Sequence, residues 1–165
     1  MKRSEEDEFR EFVGIRMERW RRAAFLLCHD WHMADDLVGT VVGKLYENWR
    51  RVSAADNPDA YAQRVLTRSW IDEHRRPWRR EHPAEDVPDP GWSPPDQVAD
   101  REQLIALLSR LGRRQRAVVV LRFYFDHSVE ETAELLGVTT GTVKSQSARA
   151  LESLRALSHA TRRHQ

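Results

Sequence analysis

Residues 128–155, SVEETAELLGVTTGTVKSQSARALESLR, decide the fold of the C-terminal half of the chain. Ser128 followed three residues later by Glu131 is a capping-box pattern, which predicts the start of a short helix. Gly137 marks the end of that helix, because a tight turn there requires a positive φ. Thr139 is a good N-cap for a second helix, along which apolar residues recur at helical spacing. The stretch therefore predicts a helix-turn-helix.

The second of these helices carries polar side chains opposite its apolar residues. Hydroxyls, an amide and two cations suit the major groove of DNA, because Gln and Arg read base edges while Ser, Thr and Lys contact phosphates. A helical hairpin with a solvated polar face is the plainer alternative. The predicted DNA-binding residues are Thr140, Thr142, Lys144, Ser145, Gln146 and Arg149.

Composition excludes several classes of protein. The chain has 165 residues, enough for one ordinary domain or two small ones. It contains no run of about 18 apolar residues, and the N-terminal MKRSEEDEFREF lacks the apolar core of a secretory signal. The single cysteine, Cys28, cannot form an intramolecular disulfide, which suits a reducing compartment. We therefore expect a cytoplasmic protein with no membrane insertion.

Charge and proline content divide the chain into three parts. Residues 1–76 carry 14 basic and 14 acidic side chains, whereas residues 100–165 carry 11 basic and 7 acidic ones. Between them, residues 77–99 are acidic and contain six of the seven prolines. Each proline removes a backbone donor and restricts the residue before it, so this segment predicts an extended linker, with an ordered functional loop as the alternative. We predict domains at 1–76 and 100–165.

Apolar residues recur every three or four positions in both domains, which is typical of amphipathic helices. Such stripes cover residues 9–27, 35–49, 61–71 and 104–111. Residues 117–125 would also suit a buried strand, but no second strand candidate exists to pair with it, so we predict a helix there. The expected fold class is all-α: two small helical domains joined by a flexible Pro-rich linker.

Charged residues of the N-terminal domain allow more than one interpretation. Asp35 and Asp36 precede an apolar helix, where capping through the helix dipole would explain them. Residues 61–80 interleave arginines with Tyr61, Trp70 and Trp78. Cations that follow phosphates and rings that stack on bases suit a partly unwound DNA strand, whereas tryptophans of a small protein commonly belong to its core.

Together, the two halves resemble the extracytoplasmic-function (ECF) sigma factors, the smallest class of bacterial RNA polymerase specificity subunits. The resemblance covers about residues 9–76 and 100–157. It rests on ADDLV at 34–38, a Tyr-x-x-Arg…Asp-x-x-Arg-Arg pattern at 61–76 and GTVKSQSARAL at 141–151. It implies a subunit that binds core RNA polymerase and promoter DNA, recognises −10 and −35 elements, and is often held by a cognate anti-sigma factor.

The resemblance also implies the role of individual residues. The helix at 34–49 would dock on core polymerase, the loop at 50–59 would receive a flipped base, and the helix at 139–154 would enter the −35 major groove. Gly39 departs from the glutamine usual in the family, and Arg68 from an asparagine that many members have. The implied core-binding residues are Asp35, Asp36, Leu37, Val38 and Leu45, and the implied −10 residues are Asn57, Arg64, Arg68, Trp70, Arg75 and Arg76.

Other functions fit parts of the sequence. A stand-alone regulator would bind operator DNA through residues 128–155, and an adaptor would sequester another protein through its apolar helices. Cys28, His29 and His32 resemble half of a zinc site, but no second Cys or His pair stands at metal spacing, so we expect no metal or other cofactor. The sequence has no phosphate-binding loop, nucleophile elbow or HExxH helix, and we expect no catalytic residues and no enzymatic activity.

Overall fold

The computed structural model describes residues 1–73 and 98–163, and every regular element in these two ranges is helical. The chain divides into two compact units, Met1–Pro83 and Ala84–Gln165. The prediction of an all-α fold is confirmed. The predicted linker falls almost entirely outside the described residues, apart from its last two positions, which begin a helix.

The first unit contains α1 (Arg3–Cys28), α2 (Trp31–Glu47), α3 (Trp49–Ser53) and α4 (Pro58–Glu73). His29 ends α1 in the left-handed conformation, with a φ of 57°. Asp30 caps α2 by accepting hydrogen bonds from two backbone N–H groups of its first turn. Asn57 caps α4 by accepting a backbone N–H at 3.1 Å, and Pro58 takes the first helical position, where its missing N–H would have no partner.

The first unit is held together by an apolar core that α1, α2 and α4 share. Each large apolar side chain contributes about 1.5–3 kcal/mol when it is fully buried, so this core fixes the positions of the three helices. The indole N–H of Trp20 also donates to the Asp59 carboxylate at 2.8 Å and ties α1 to the start of α4. The largest fully buried residues of this core are Trp20, Leu27, Val41, Leu45 and Leu66.

The second unit contains α5 (Val98–Ser109), α6 (Arg113–Val119), α7 (Val129–Leu136) and α8 (Thr140–Arg163). A π-helical turn, Val120–Tyr124, continues α6, and the Phe125 N–H bonds the Val120 carbonyl at 3.0 Å. Residues 117–124 are therefore helical, as predicted for 117–125, and Phe125 caps the end of the turn. The three consecutive valines that suggested a strand are buried on this helical segment.

Helices α7 and α8 form the predicted helix-turn-helix. The Ser128 hydroxyl accepts the Glu131 N–H at 3.0 Å and caps α7. Gly137 ends α7 with a φ of 66°, which an L-residue adopts only at a cost. The Thr139 hydroxyl accepts the Thr142 N–H at 3.1 Å and caps α8. The core beneath this turn consists of Val118, Ala133 and Val143, with Val129, Leu136 and Val138 packed against it.

Candidate DNA and polymerase interfaces

The outer face of α8 is defined by the residues that its inner face buries. Val143 and Ala150 are fully buried, which fixes the rotation of the helix. Among the predicted DNA-binding residues, Thr142 and Gln146 are half-buried at the edge of the outer face, and the Thr142 hydroxyl pairs with that of Thr139 at 2.9 Å. The fully exposed ones are Thr140, Lys144, Ser145 and Arg149.

A buried histidine supports α7 from the side of the π-helical turn. The His127 ring is only 6% exposed, and its Nδ1 lies 2.9 Å from a carboxylate oxygen of Glu131. Arg122 donates to the His127 carbonyl at 2.6 Å. The hydrogen bond with the His127 ring, followed by those from the hydroxyl and the backbone N–H of Ser128, lowers the pKa of Glu131 below its ordinary value. These contacts position the helix-turn-helix on the rest of its unit.

A basic cleft of about 470 Å³ opens among α2, α3 and α4 of the first unit. Four cations and one tyrosine face it against a single carboxylate, and the Arg51 guanidinium lies 6.0 Å from the centre of the Tyr61 ring. Tyr61 is partly exposed, and cations beside an accessible ring are the groups that bind single-stranded nucleic acid. The charged and aromatic residues of this cleft are Lys44, Arg51, Tyr61, Arg64, Arg68 and Asp72.

The basic cleft combines predicted residues with residues that the sequence did not indicate. Arg64 and Arg68 were predicted from the helix that carries them, on which they lie one turn apart. Lys44 comes from α2 and Arg51 from α3, so only the packing of three helices brings them beside α4. In the sequence, the positive charges of Lys44 and Arg51 on either side of the break between α2 and α3 are what could have indicated their role.

The remaining predicted −10 residues have different environments. Trp70 is only 4% exposed and packs in the core of the first unit, so it is not available to stack on a DNA base, which corrects that prediction. Asn57 is exposed, and its amide oxygen is occupied by the cap of α4. Arg75 and Arg76 lie outside the described residues.

The predicted polymerase-binding residues separate into an exposed pair and a buried trio. Asp35 and Asp36 are exposed on α2, but they lie in its second turn because Asp30 caps the helix one turn earlier. Capping therefore does not explain them, and Asp35 instead pairs with Arg21 of α1 at 2.7 Å. The buried residues can only support this surface from within: Leu37, Val38 and Leu45.

Gly39, where the chain departs from the family pattern, lies on the exposed face of α2 near the aspartate pair. A Cβ atom built there would meet no atom within 4 Å. Packing around the Cβ position therefore does not require glycine here.

The part of the chain that the structure describes contains neither a candidate membrane span nor a candidate metal site. None of its helices combines the length and the apolar character that crossing a bilayer requires. No three His, Cys, Asp or Glu side chains of that part lie close enough together to hold a metal ion.

Comparison with known proteins identifies both units. The family described as Sigma-70 region 2 matches residues 17–80, and that described as Sigma-70, region 4 matches residues 101–154. Over 149 residues the chain is 38% identical to the RNA polymerase sigma-E factor of Streptomyces coelicolor, covering 90% of this chain and 84% of that relative. The chain belongs to the ECF sigma factor family.

A second relative and a solved structure are also similar to this chain. The ECF RNA polymerase sigma factor SigD of Mycobacterium tuberculosis is 35% identical over 104 residues, which cover 58% of this chain and 49% of SigD. The fold is similar to that of the sigma factor RpoE, solved in complex with the anti-sigma factor NepR from Bartonella quintana. That match has a TM-score of 0.77 at 21% identity and covers 91% of this chain and 96% of the other.

Membership of the ECF family establishes the general function. This sigma factor binds core RNA polymerase and directs promoter-specific transcription initiation. The alternative of a stand-alone operator-binding regulator is not favoured, because the match includes region 2 as well as the helix-turn-helix of region 4.

Proposed function

We propose that this ECF sigma factor reads its promoter with one surface in each unit. The basic cleft takes the melted non-template strand of the −10 element, and the outer face of α8 takes the −35 major groove. The observation that carries the proposal is that each surface presents exposed cations on helices held in place by a buried core. The domains would be residues 1–76 and 100–165, joined by the acidic linker at 77–99.

In the −10 part of the proposal, Arg64 and Arg68 neutralise neighbouring phosphates from successive turns of α4, about 6 Å apart along the axis. Tyr61 offers its ring to an unstacked base. Asn57 lies between α3 and α4, in the part of the stretch at 50–59 that is not helical and that would receive the flipped base. Because the cap of α4 occupies the amide oxygen of Asn57, its NH₂ group is the part left to bond a base. Arg75 and Arg76 enter this proposal from the sequence alone.

In the −35 part, the six polar residues of α8 divide by chemistry. Lys144 contacts a phosphate as a point charge, whereas the planar guanidinium of Arg149 can pair with the edge of a guanine. Thr140 contacts a phosphate at the helix N-terminus, where the dipole favours an anion, and Ser145 contacts one from the second turn. Thr142 and Gln146, at the half-buried edge, reach the side of the groove.

Core polymerase would dock on the exposed surface of α2. Asp35 and Asp36 form its acidic part, and the buried Leu37, Val38 and Leu45 keep the helix in place beneath them. The Arg21 guanidinium next to Asp35 orients that carboxylate toward one side of the helix. A basic partner surface would complement this acidic pair.

The proposed function also has consequences for catalysis, location and regulation. RNA synthesis is carried out by the polymerase, so the sigma factor has no catalytic activity of its own. It acts on chromosomal DNA and is therefore located in the cytoplasm. A cognate anti-sigma factor binds it, as NepR binds RpoE in the similar solved structure.

The test of the proposal is reconstitution with core RNA polymerase freed of other sigma factors. We expect the protein to co-elute with core and to direct a discrete run-off transcript from the DNA upstream of its own gene. Absence of any association with core, including core from its own source, would contradict the proposal and favour an operator-binding regulator. Co-elution without a transcript would indicate the wrong promoter fragment, and a genomic library would then replace that fragment.

Variants separate the two DNA surfaces in the same assay. Replacing Arg64 and Arg68 together by alanine should reduce transcription from duplex promoters much more than from premelted ones, because the cleft holds the opened strand. Arg10→Ala is the matched control, since Arg10 is an exposed arginine of the same unit that does not line the cleft. Equal losses on duplex and premelted templates would contradict the assignment of the cleft.

A further inference from the structure

A second cleft lies next to the basic cleft and shares one residue with it. This second cleft also encloses about 470 Å³ and is formed at the corner where α2 ends and α3 begins. Arg51 lines both clefts. Its guanidinium donates to the Asn48 amide oxygen at 3.4 Å on one side and lies 6.0 Å from the Tyr61 ring on the other. We call the second cleft the corner cleft.

The corner cleft repeats the chemistry of the basic cleft. Tyr46 is 49% exposed although it is aromatic, and its ring is held edge-on against Phe9 with the centroids 5.4 Å apart. Arg50 is 73% exposed, and its one described ion pair, with Glu5, is long at 3.6 Å. An oriented ring beside a solvated guanidinium is again what a nucleotide requires, since the ring stacks on the base while the cation contacts the phosphate.

The two clefts adjoin at Arg51, and each contains one tyrosine and more than one cation. Tyr61 lines the basic cleft and Tyr46 the corner cleft, where Arg50 adds a second positive charge to that of Arg51. The Asn48 side chain, which also donates to the Lys44 carbonyl at 2.9 Å, fixes the corner between the two clefts. A strand that leaves the basic cleft past Arg51 therefore meets a second site of the same kind.

We propose that the corner cleft binds a nucleotide of the melted promoter strand adjacent to the −10 element, with Tyr46 stacking on the base and Arg50 contacting its phosphate. The occupant is single-stranded DNA, because the corner cleft adjoins the basic cleft at Arg51 and offers the same two kinds of group, a tyrosine ring and arginine cations. The inference rests on the proposed function of that cleft and extends it from the −10 element to the neighbouring sequence. Glu47 also lines the corner cleft, and its negative charge repels phosphate. Binding through phosphate contacts alone is therefore disfavoured, and stacking on the base is needed as well.

The deciding experiment uses holoenzyme and the promoter mapped by run-off transcription. A photocrosslinking amino acid replaces Tyr46, Tyr61 or, as an exposed control that lines neither cleft, Met17. The promoter DNA is labelled on one strand at a time. We expect crosslinks from positions 46 and 61 to the non-template strand in open complexes, and none from position 17.

Each outcome of the crosslinking bears on the inference. A crosslink from position 61 without one from position 46 overturns the corner site but leaves the basic cleft in place. Crosslinks from neither position overturn both, while the transcript still establishes the sigma function. A crosslink from position 46 that is equally strong in closed complexes overturns the assignment to single-stranded DNA.

Binding to two fork templates gives a second, quantitative test. One template has a single-stranded tail that ends with the −10 element, and the tail of the other continues by about six nucleotides. Tyr46→Ala should weaken binding of the longer fork about tenfold, within the range for loss of one stacked base, and leave the shorter fork unchanged. Tyr46→Phe keeps the ring and should bind both forks normally. Arg50→Ala should lower the salt slope by about 0.7 on the longer fork only; equal effects of these variants on both forks would overturn the site.

Discussion

The hydrogen bond between Trp20 and Asp59 links the core of the first unit to the helix that carries the basic cleft, and substitutions of Asp59 test that link. Trp20 is fully buried, and its indole N–H donates at 2.8 Å to a carboxylate that belongs to the first turn of α4. Asp59→Ala would leave that buried N–H without its acceptor, at a cost of about 1–3 kcal/mol. It would also remove a negative charge from a helix N-terminus, worth about 0.3–1 kcal/mol. We expect the free energy of unfolding to fall by about 2 kcal/mol.

Asp59→Asn separates the two contributions. The amide keeps an oxygen acceptor for the Trp20 N–H and loses only the charge, so we expect a loss of at most about 1 kcal/mol. Urea unfolding followed by tryptophan fluorescence is suitable, because no tryptophan occurs after residue 92 and the signal therefore comes mainly from the first unit. With a denaturant slope of about 1–1.5 kcal/mol/M, the alanine variant should shift the midpoint by about 1.5 M.

The functional consequence should follow the structural one. Because Asp59 begins the helix that carries Arg64 and Arg68, loosening it should impair capture of the melted strand more than binding of a −35 duplex. Equal destabilisation by alanine and asparagine would refute the argument from the buried N–H. If Asp59→Ala lowers stability as expected but promoter opening is unchanged, the proposed link between the α1–α4 contact and the cleft is refuted.

Four other predictions concern the second unit. Lys144→Ala should weaken binding of duplex DNA to a similar degree on all sequences and lower the salt slope by about 0.9, as loss of one phosphate contact does; a sequence-dependent loss would contradict this. Arg149→Ala should instead change the −35 preference in a competition between promoter variants, and equal losses on every sequence would reject a base contact. Gly137→Ala should destabilise the unit by about 1–2 kcal/mol in thermal unfolding, because its φ of 66° is unfavourable for alanine; an unchanged midpoint would contradict this. Because the pKa of Glu131 is lowered in the folded state, its carboxylate contributes fully to folding stability above the unfolded-state pKa, and that contribution is lost as the pH falls through the folded-state pKa. Glu131→Gln should therefore make the stability of the unit depend less on pH in the acid range. An unchanged pH dependence there would contradict this.

Prediction from the sequence succeeded where local structure depends on interactions between residues that are close in the chain. Ser128, Gly137 and Thr139 each act within three or four positions of the chain, so their side-chain chemistry predicted the ends of α7 and α8 directly. The same reasoning misplaced the start of α2. Asp30, just before Trp31, is the N-cap of α2, so the helix begins earlier than predicted and Asp35 and Asp36 lie in its second turn.

Prediction was weaker where a site is assembled from several helices. Leu66 and Trp70 lie four residues apart on the inner face of α4, and Arg64 and Arg68 repeat the same spacing on its other side. That spacing could have indicated that Trp70 belongs to the core. The contribution of Lys44 and Arg51 to the cleft could not have been predicted in this way, since it depends on the packing of α2 and α3 against α4.

If the two surfaces bind DNA as proposed, their charge explains why they need core polymerase to act together. The outer face of α8 presents only Lys144 and Arg149 as cations within its predicted DNA-binding set, and the basic cleft acts on a strand that exists only after melting. Since duplex affinity grows with the number of phosphates neutralised, we expect α8 alone to bind duplex DNA weakly at physiological salt. Core polymerase that holds both units at a fixed spacing makes the second contact intramolecular, and the effective concentration then supplies the affinity that neither surface has alone. A stand-alone regulator of this charge would lack that gain, which is a physical reason for the sigma factor architecture.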